Sequence, residues 1–71
     1  MAEWIKVESS SLMRVRYEVV DETLGTEFHD GSVYEYQRVP AHVYDSLMMA
    51  SSKGTYYNEN VRGKYEFRRL R

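Results

Sequence analysis

The single proline, Pro40, sits where the periodicity of the chain changes, and that change constrains the fold more than any other feature. Upstream, Val33-Tyr34-Glu35-Tyr36-Gln37 alternates. Successive side chains of a strand point to opposite faces, so Tyr34 and Tyr36 share one face and Val33, Glu35 and Gln37 the other. Downstream, Val43, Leu47 and Ala50 recur at helical spacing, with Val39 at the entry. Proline cannot donate to a sheet ladder but suits the first turn of a helix. The junction reads as a strand with its aromatic face inward, running straight into a helix.

Two more alternating runs precede it. In the first, Met13, Val15, Tyr17 and Val19 form one face against Arg14, Arg16 and Glu18; in the second, Leu24, Thr26 and Phe28 oppose Gly25, Glu27 and His29. A two-residue turn at Asp21-Glu22 would set Val15 opposite Phe28, Tyr17 opposite Thr26 and Arg16 opposite Glu27, with faces and charges in agreement. For the next hairpin, an odd loop of Asp30, Gly31 and Ser32 with Gly31 left-handed pairs Phe28 with Tyr34 and Thr26 with Tyr36. A shift of one residue would turn the tyrosines outward.

After the first helix, Ser51-Ser52-Lys53-Gly54 is a break. Ser52 can cap a second short helix that carries Tyr57 and Val61 four apart, with Arg62 in its last turn and Gly63 as its left-handed stop. From Lys64 on, Tyr65 and Phe67 alternate with charges, which fits either a fourth strand at the sheet edge or a frayed tail. The predicted class is α+β: an antiparallel three- to four-stranded β-meander with two helices packed on one face. Its expected core takes Val15, Tyr17, Leu24, Phe28, Tyr34 and Tyr36 from the sheet. Val39, Val43, Leu47, Ala50, Tyr57 and Val61 complete it from the helical half.

The 71 residues form a single domain, 1–71, and a chain of this size buries only about 60% of its unfolded surface. Cysteine is absent, so neither disulfides nor a thiolate zinc site can reinforce it. Seven Tyr, two Phe and one Trp must supply core volume instead. Ten Lys and Arg nearly balance eleven Asp and Glu, but Arg62, Lys64, Arg68, Arg69 and Arg71 gather at the end with one acid, Glu66. There is no basic-then-apolar leader and no long apolar run, so no membrane is expected and the cytoplasm is the default location.

Catalysis finds little support. His29 and His42 lack a spaced second ligand, so neither a metal nor another cofactor is expected. Glu27 and Glu35, facing each other across the open side of the sheet, read as part of a surface ion-pair cluster beside Arg16. Ser9-Ser10-Ser11 has no adjacent base and reads as a turn. Binding is better served. Basic side chains interleaved with aromatics supply cations for phosphates and ring faces for bases, as single-stranded nucleic acid requires. The candidates are Tyr56, Arg62, Lys64, Tyr65, Phe67, Arg68 and Arg69. The competing reading makes these aromatics core and the basic end a solubilising tail. The rival function is a protein-interaction or inhibitor module acting through Trp4, the sheet edge, exposed aromatics or a homo-oligomer interface.

Val7-x-Ser9-Ser10, then Leu24-x-x-x-Phe28-x-x-Gly31-x-x-Tyr34-x-Tyr36-x-x-Val39-Pro40, then Ala50-x-Ser52-Lys53-Gly54-x-Tyr56-Tyr57-Asn58-x-x-Val61-Arg62 resembles the KTSC domain. That family is named for the C-terminal extension of some lysyl-tRNA synthetases and includes stand-alone bacterial and phage proteins. The likeness covers about residues 7–65; the arm 1–6 and the basic end 66–71 lie outside it. Tyr57 stands where the family usually has Phe, and Val61 where Ile is commoner. The resemblance implies no established activity, and a role in RNA binding by association with the synthetase. It also directs attention to Lys53, Asn58 and Arg62, polar positions on one side of the second helix that an anion could occupy.

Overall fold

The computed structural model describes residues 2–71. Its strands are β1 (Ile5–Lys6), β2 (Leu12–Glu18), β3 (Thr23–Phe28), β4 (Val33–Tyr36) and β5 (Phe67–Arg69), with α1 (Ala41–Met49) and α2 (Lys53–Asn60) between the last two. All five strands form one antiparallel sheet in chain order. The class is α+β as expected, with one strand more than the expected three or four; the basic end takes the edge-strand alternative. Part of the N-terminal arm pairs as β1, and the basic end pairs as β5 at the opposite edge.

Both inner hairpins are displaced by two residues from the expected registers. Val15 faces Thr26, Tyr17 faces Leu24, Arg16 faces Gly25, and Arg14 faces Glu27. A two-residue primed turn needs positive φ at its first position, and in type I′ at both, which Asp-Glu resists. Only Glu22 adopts it, at φ 53°, and the chain spends four residues on the loop, taking Val19 off the sheet.

In the second hairpin Thr26 faces Tyr34, and Leu24 faces Tyr36. The loop has three residues with Gly31 left-handed at φ 91°, but they are His29, Asp30 and Gly31. The Gly31 amide donates to the Phe28 carbonyl and the Phe28 amide to that of Ser32, so Gly31 closes the loop instead of occupying its middle. That position follows from the usual three-residue hairpin, in which the left-handed residue comes after a type I turn. Since the displacement is even, every side chain keeps its face.

The helix-covered face buries Leu12, Val15, Tyr17, Leu24 and Tyr36 against Val39, Val43, Leu47, Tyr57 and Val61. Leu12 reaches it because the β2 ladder is irregular between Leu12 and Arg14, which displaces Met13 from the expected alternation. Val7 joins the core and Val33 is buried, neither of which was expected. Three expected core residues are only half-buried. Ala50 caps the C-terminus of α1, donating its amide to the Leu47 carbonyl, while Phe28 and Tyr34 pack at the margin of the core. Tyr17 donates its hydroxyl to the Val39 carbonyl at 2.6 Å, fixing the entry to α1. Pro40 is the N-cap, and Ser52 caps α2 by accepting from the Thr55 amide.

Candidate nucleic-acid interface

Helix α2 and its exit lie beside the end of the sheet where the β3–β4 hairpin turns. Between them is a groove of about 800 Å³. Phe28, Tyr34, Tyr36, Tyr57 and Phe67 supply its rings, Asn58 and Arg62 one polar side, and His29, Asp30 and Ser32 the other. Tyr34 and Tyr36 stack, and the other rings meet edge to face or tilted: Phe28 on Tyr57 at 5.2 Å, Tyr36 on Tyr57 at 5.8 Å, and Tyr34 on Phe67 at 5.6 Å between centroids. Phe67 comes from β5 and is 55% exposed, leaving its ring accessible. The Tyr36 and Tyr57 hydroxyls are hydrogen-bonded to each other. Burial pushes both phenols above their usual range, and the shared hydrogen bond pushes Tyr57 further. The Ser32 hydroxyl and amide hold the Asp30 carboxyl below its usual range.

The candidate residues, with Lys53 and Asn58 from the resemblance, fall at separate places. Asn58 and Arg62 share the groove, and no carboxylate pairs with Arg62 among the described residues. Arg69 stands over the Tyr34 ring, 5.7 Å from its centroid, at the groove's margin. Lys64 and Arg68 line a second, shallower groove with Gln37 and Tyr65, and Arg68 is engaged with Glu35 at 2.8 Å. Lys53 donates to the Ala50 carbonyl at 3.0 Å, a cation at the C-terminal end of α1. Tyr56 is half-buried against the core.

The opposite face of the sheet is closed by side chains alone. Trp4 lies between Arg14 and Arg16, whose guanidinium carbons stand 5.0 and 4.8 Å from its ring, and its edge covers Gly25. Sequence reasoning left Trp4 in an arm; a glycine interior to a strand, the mark of close approach, was the available signal. Glu27 is buried and pairs with Arg14 and with Arg71 at 3.3 Å. Glu27 faces Val33 and Glu35 faces Gly25, so the two carboxylates are staggered and each has its own arginine. His29 Nε2 lies 2.9 Å from the Ser9 carbonyl, and no three potential metal ligands converge among the described residues. Nor is any described helix long and apolar enough to cross a membrane.

The model of the KTSC domain matches residues 8–65. The chain belongs to the KTSC domain family. Lysine–tRNA ligases of Trichormus variabilis and Nostoc punctiforme are each 42% identical to it over 66 residues, 93% of this chain. The chain spans 12% of the length of those ligases. An uncharacterized protein of Stutzerimonas stutzeri is 34% identical over 78% of both chains. The crystal structure of a KTSC domain protein from Yersinia pestis superposes with a TM-score of 0.94 at 26% identity, covering both chains completely.

Part of the KTSC pattern now has a structural cause. In Ser52-Lys53-Gly54, Ser52 caps α2 and Lys53 ties it to the end of α1. A Cβ on Gly54 would meet the Ser11 hydroxyl at 2.8 Å, so the glycine lets the serine turn lie against the helix. That turn is self-bonded, the Ser9 hydroxyl accepting from the Ser11 and Leu12 amides. Asn58 and Arg62 have no such part in the packing; both are exposed.

Proposed function

We propose that this KTSC domain is a non-catalytic module that binds single-stranded RNA, or a nucleotide of it, in the groove beside α2. The observation that carries the reading is the joining of the accessible Phe67 ring, beside half-buried Phe28 and Tyr34, with an unpaired guanidinium, Arg62, in one concave site. Ring faces stack bases of any sequence, and a free cation beside them takes a phosphate. Arg14, Arg68 and Arg71 already neutralise carboxylates, which makes them weaker phosphate ligands than Arg62 and Arg69. The name lysine–tRNA ligase, borne by much longer relatives, makes RNA the ligand class to try first.

The test is a titration of the protein with a single-stranded RNA oligonucleotide, followed by amide resonances and anisotropy. Arg62→Ala is expected to weaken binding about tenfold or more, the worth of a charge-assisted hydrogen bond, and Arg71→Ala far less. Two phosphate contacts imply a log–log salt slope of about −1.4, at ~0.7 per contact. Equal small losses in the two variants would reduce the binding to diffuse attraction. A protein partner is the second reading, favoured by Val19 and Val20 at the first hairpin's tip, 72% and 93% exposed. Its test is retention of a host protein that Val20→Asp releases and RNase does not.

A further inference from the structure

The Tyr36–Tyr57 pair has a spare proton. Two phenols carry two O–H donors, and their mutual hydrogen bond uses one. Among the described residues neither hydroxyl has another partner, although the two residues are only 2% and 6% exposed. Both residues line the same groove as Arg62. A buried donor without an acceptor is costly, and a ligand that supplies the acceptor recovers that cost.

We propose that the floor of the groove is a nucleobase pocket in which the tyrosine pair donates to an exocyclic carbonyl of the base. The inference deepens the RNA reading above and rests on it. Two acceptors compete for the spare proton, a phosphate oxygen and a carbonyl. A phosphate at the floor would bring its full charge among buried rings and across from Asp30. The hydrogen bonds from Ser32 keep that carboxyl ionised, so it repels an anion. A carbonyl is neutral and meets neither cost. The raised phenol pKa values keep the donor protonated throughout the neutral range. The base then lies against the Phe28, Tyr34 and Phe67 rings with its phosphate outside, at Arg62. Uracil, guanine and cytosine carry such a carbonyl and adenine has none, so the pocket discriminates against adenine.

The pair must be tested as a pair. Removing one hydroxyl frees the other to donate, so Tyr36→Phe and Tyr57→Phe singly retain most of the preference. The double variant Tyr36→Phe/Tyr57→Phe keeps both rings and leaves no donor. Exchanging both partners of a hydrogen bond for apolar groups of the same shape is nearly neutral for folding. Fluorescein-labelled hexauridylate and hexaadenylate are the probes, and the ratio of their affinities is compared between parent and double variant, which cancels the self-stacking of adenylate. The expected result is that the ratio favours uridylate in the parent and falls about fivefold in the double variant, the worth of one neutral hydrogen bond, with the melting temperature held. Binding of both probes with a ratio unmoved by the double substitution would overturn the carbonyl contact while leaving the RNA reading standing. Binding of neither probe would remove the RNA reading and the pocket with it.

Discussion

On one side of the sheet, Val43, Leu47, Tyr57 and Val61 of the helical half close over Leu12, Leu24 and Tyr36. On the other, a single indole lies between two guanidinium groups, and two carboxylates are each held by arginines. The first face is sealed by apolar area, of which every Å² contributes about 25 cal/mol. The second is sealed by charges that remain partly wet: the side chains of Arg68 and Arg71 are 70% and 66% exposed. Exposed pairs contribute little. Stability therefore resides on the helix side. The outer face satisfies its charges internally, and the unpaired guanidinium of Arg62 is left at the groove.

The largest test of that contrast is Tyr36→Ala, which empties the centre of the helix-side core. It is expected to cost about 3 kcal/mol or more, read from a denaturant melt. A parent-like midpoint would break the contrast at once. On the outer face, Glu27→Ala removes a buried carboxylate from two arginines and should cost about 1–2 kcal/mol, less than the full penalty because water can reach both guanidinium groups. Gly25→Ala places a methyl 3.1 Å from the Trp4 ring edge. The expected cost is about 1 kcal/mol with a shift in Trp4 fluorescence; unchanged emission would mean that the indole does not cover the strand.

A gain is expected within the helix-side core. Thr26 is fully buried and its hydroxyl has no partner among the described residues. Thr26→Val should raise stability by up to about 1 kcal/mol in the same melt, because it removes an unsatisfied polar atom. Glu35→Gln is the smallest, at about 0.5 kcal/mol or less near neutrality. Arg68 holds the folded Glu35 carboxyl below the usual carboxylate value, so the unfolded chain binds that proton more readily. The contribution is complete above roughly pH 5 and is lost as pH falls through the depressed folded value. A pH series of melts should show a shallower acid limb for Glu35→Gln.

Much of this architecture was legible because side-chain period is robust where register is not. Tyr34 and Tyr36 were assigned to the correct face through hairpins that were each two residues out of step, since an even slip preserves the face. The slips came from loops whose length depends on one left-handed residue, Glu22 or Gly31, and alternation does not report loop length. Leu12 escaped notice because the irregularity at Met13 reverses the alternation for a single step. At the candidate site, Arg62 was legible from the basic end of the chain, and Asn58 only from the resemblance to the KTSC domain. The Tyr36–Tyr57 contact, 21 residues apart, was not, because it depends on how α2 crosses the sheet.

The chain-order sheet also has a kinetic consequence. The first four strands pair with immediate neighbours, so their closure needs only short loops, and such local topologies fold fast. The exception is the last pairing, in which Glu35 meets Arg68 across both helices. That closure loses more chain entropy and returns a short, exposed ladder. The edge strand that carries Phe67 and Arg69 is therefore expected to dock late in folding and to exchange its amides before the inner strands. One wall of the groove thus opens more readily than the sheet it belongs to.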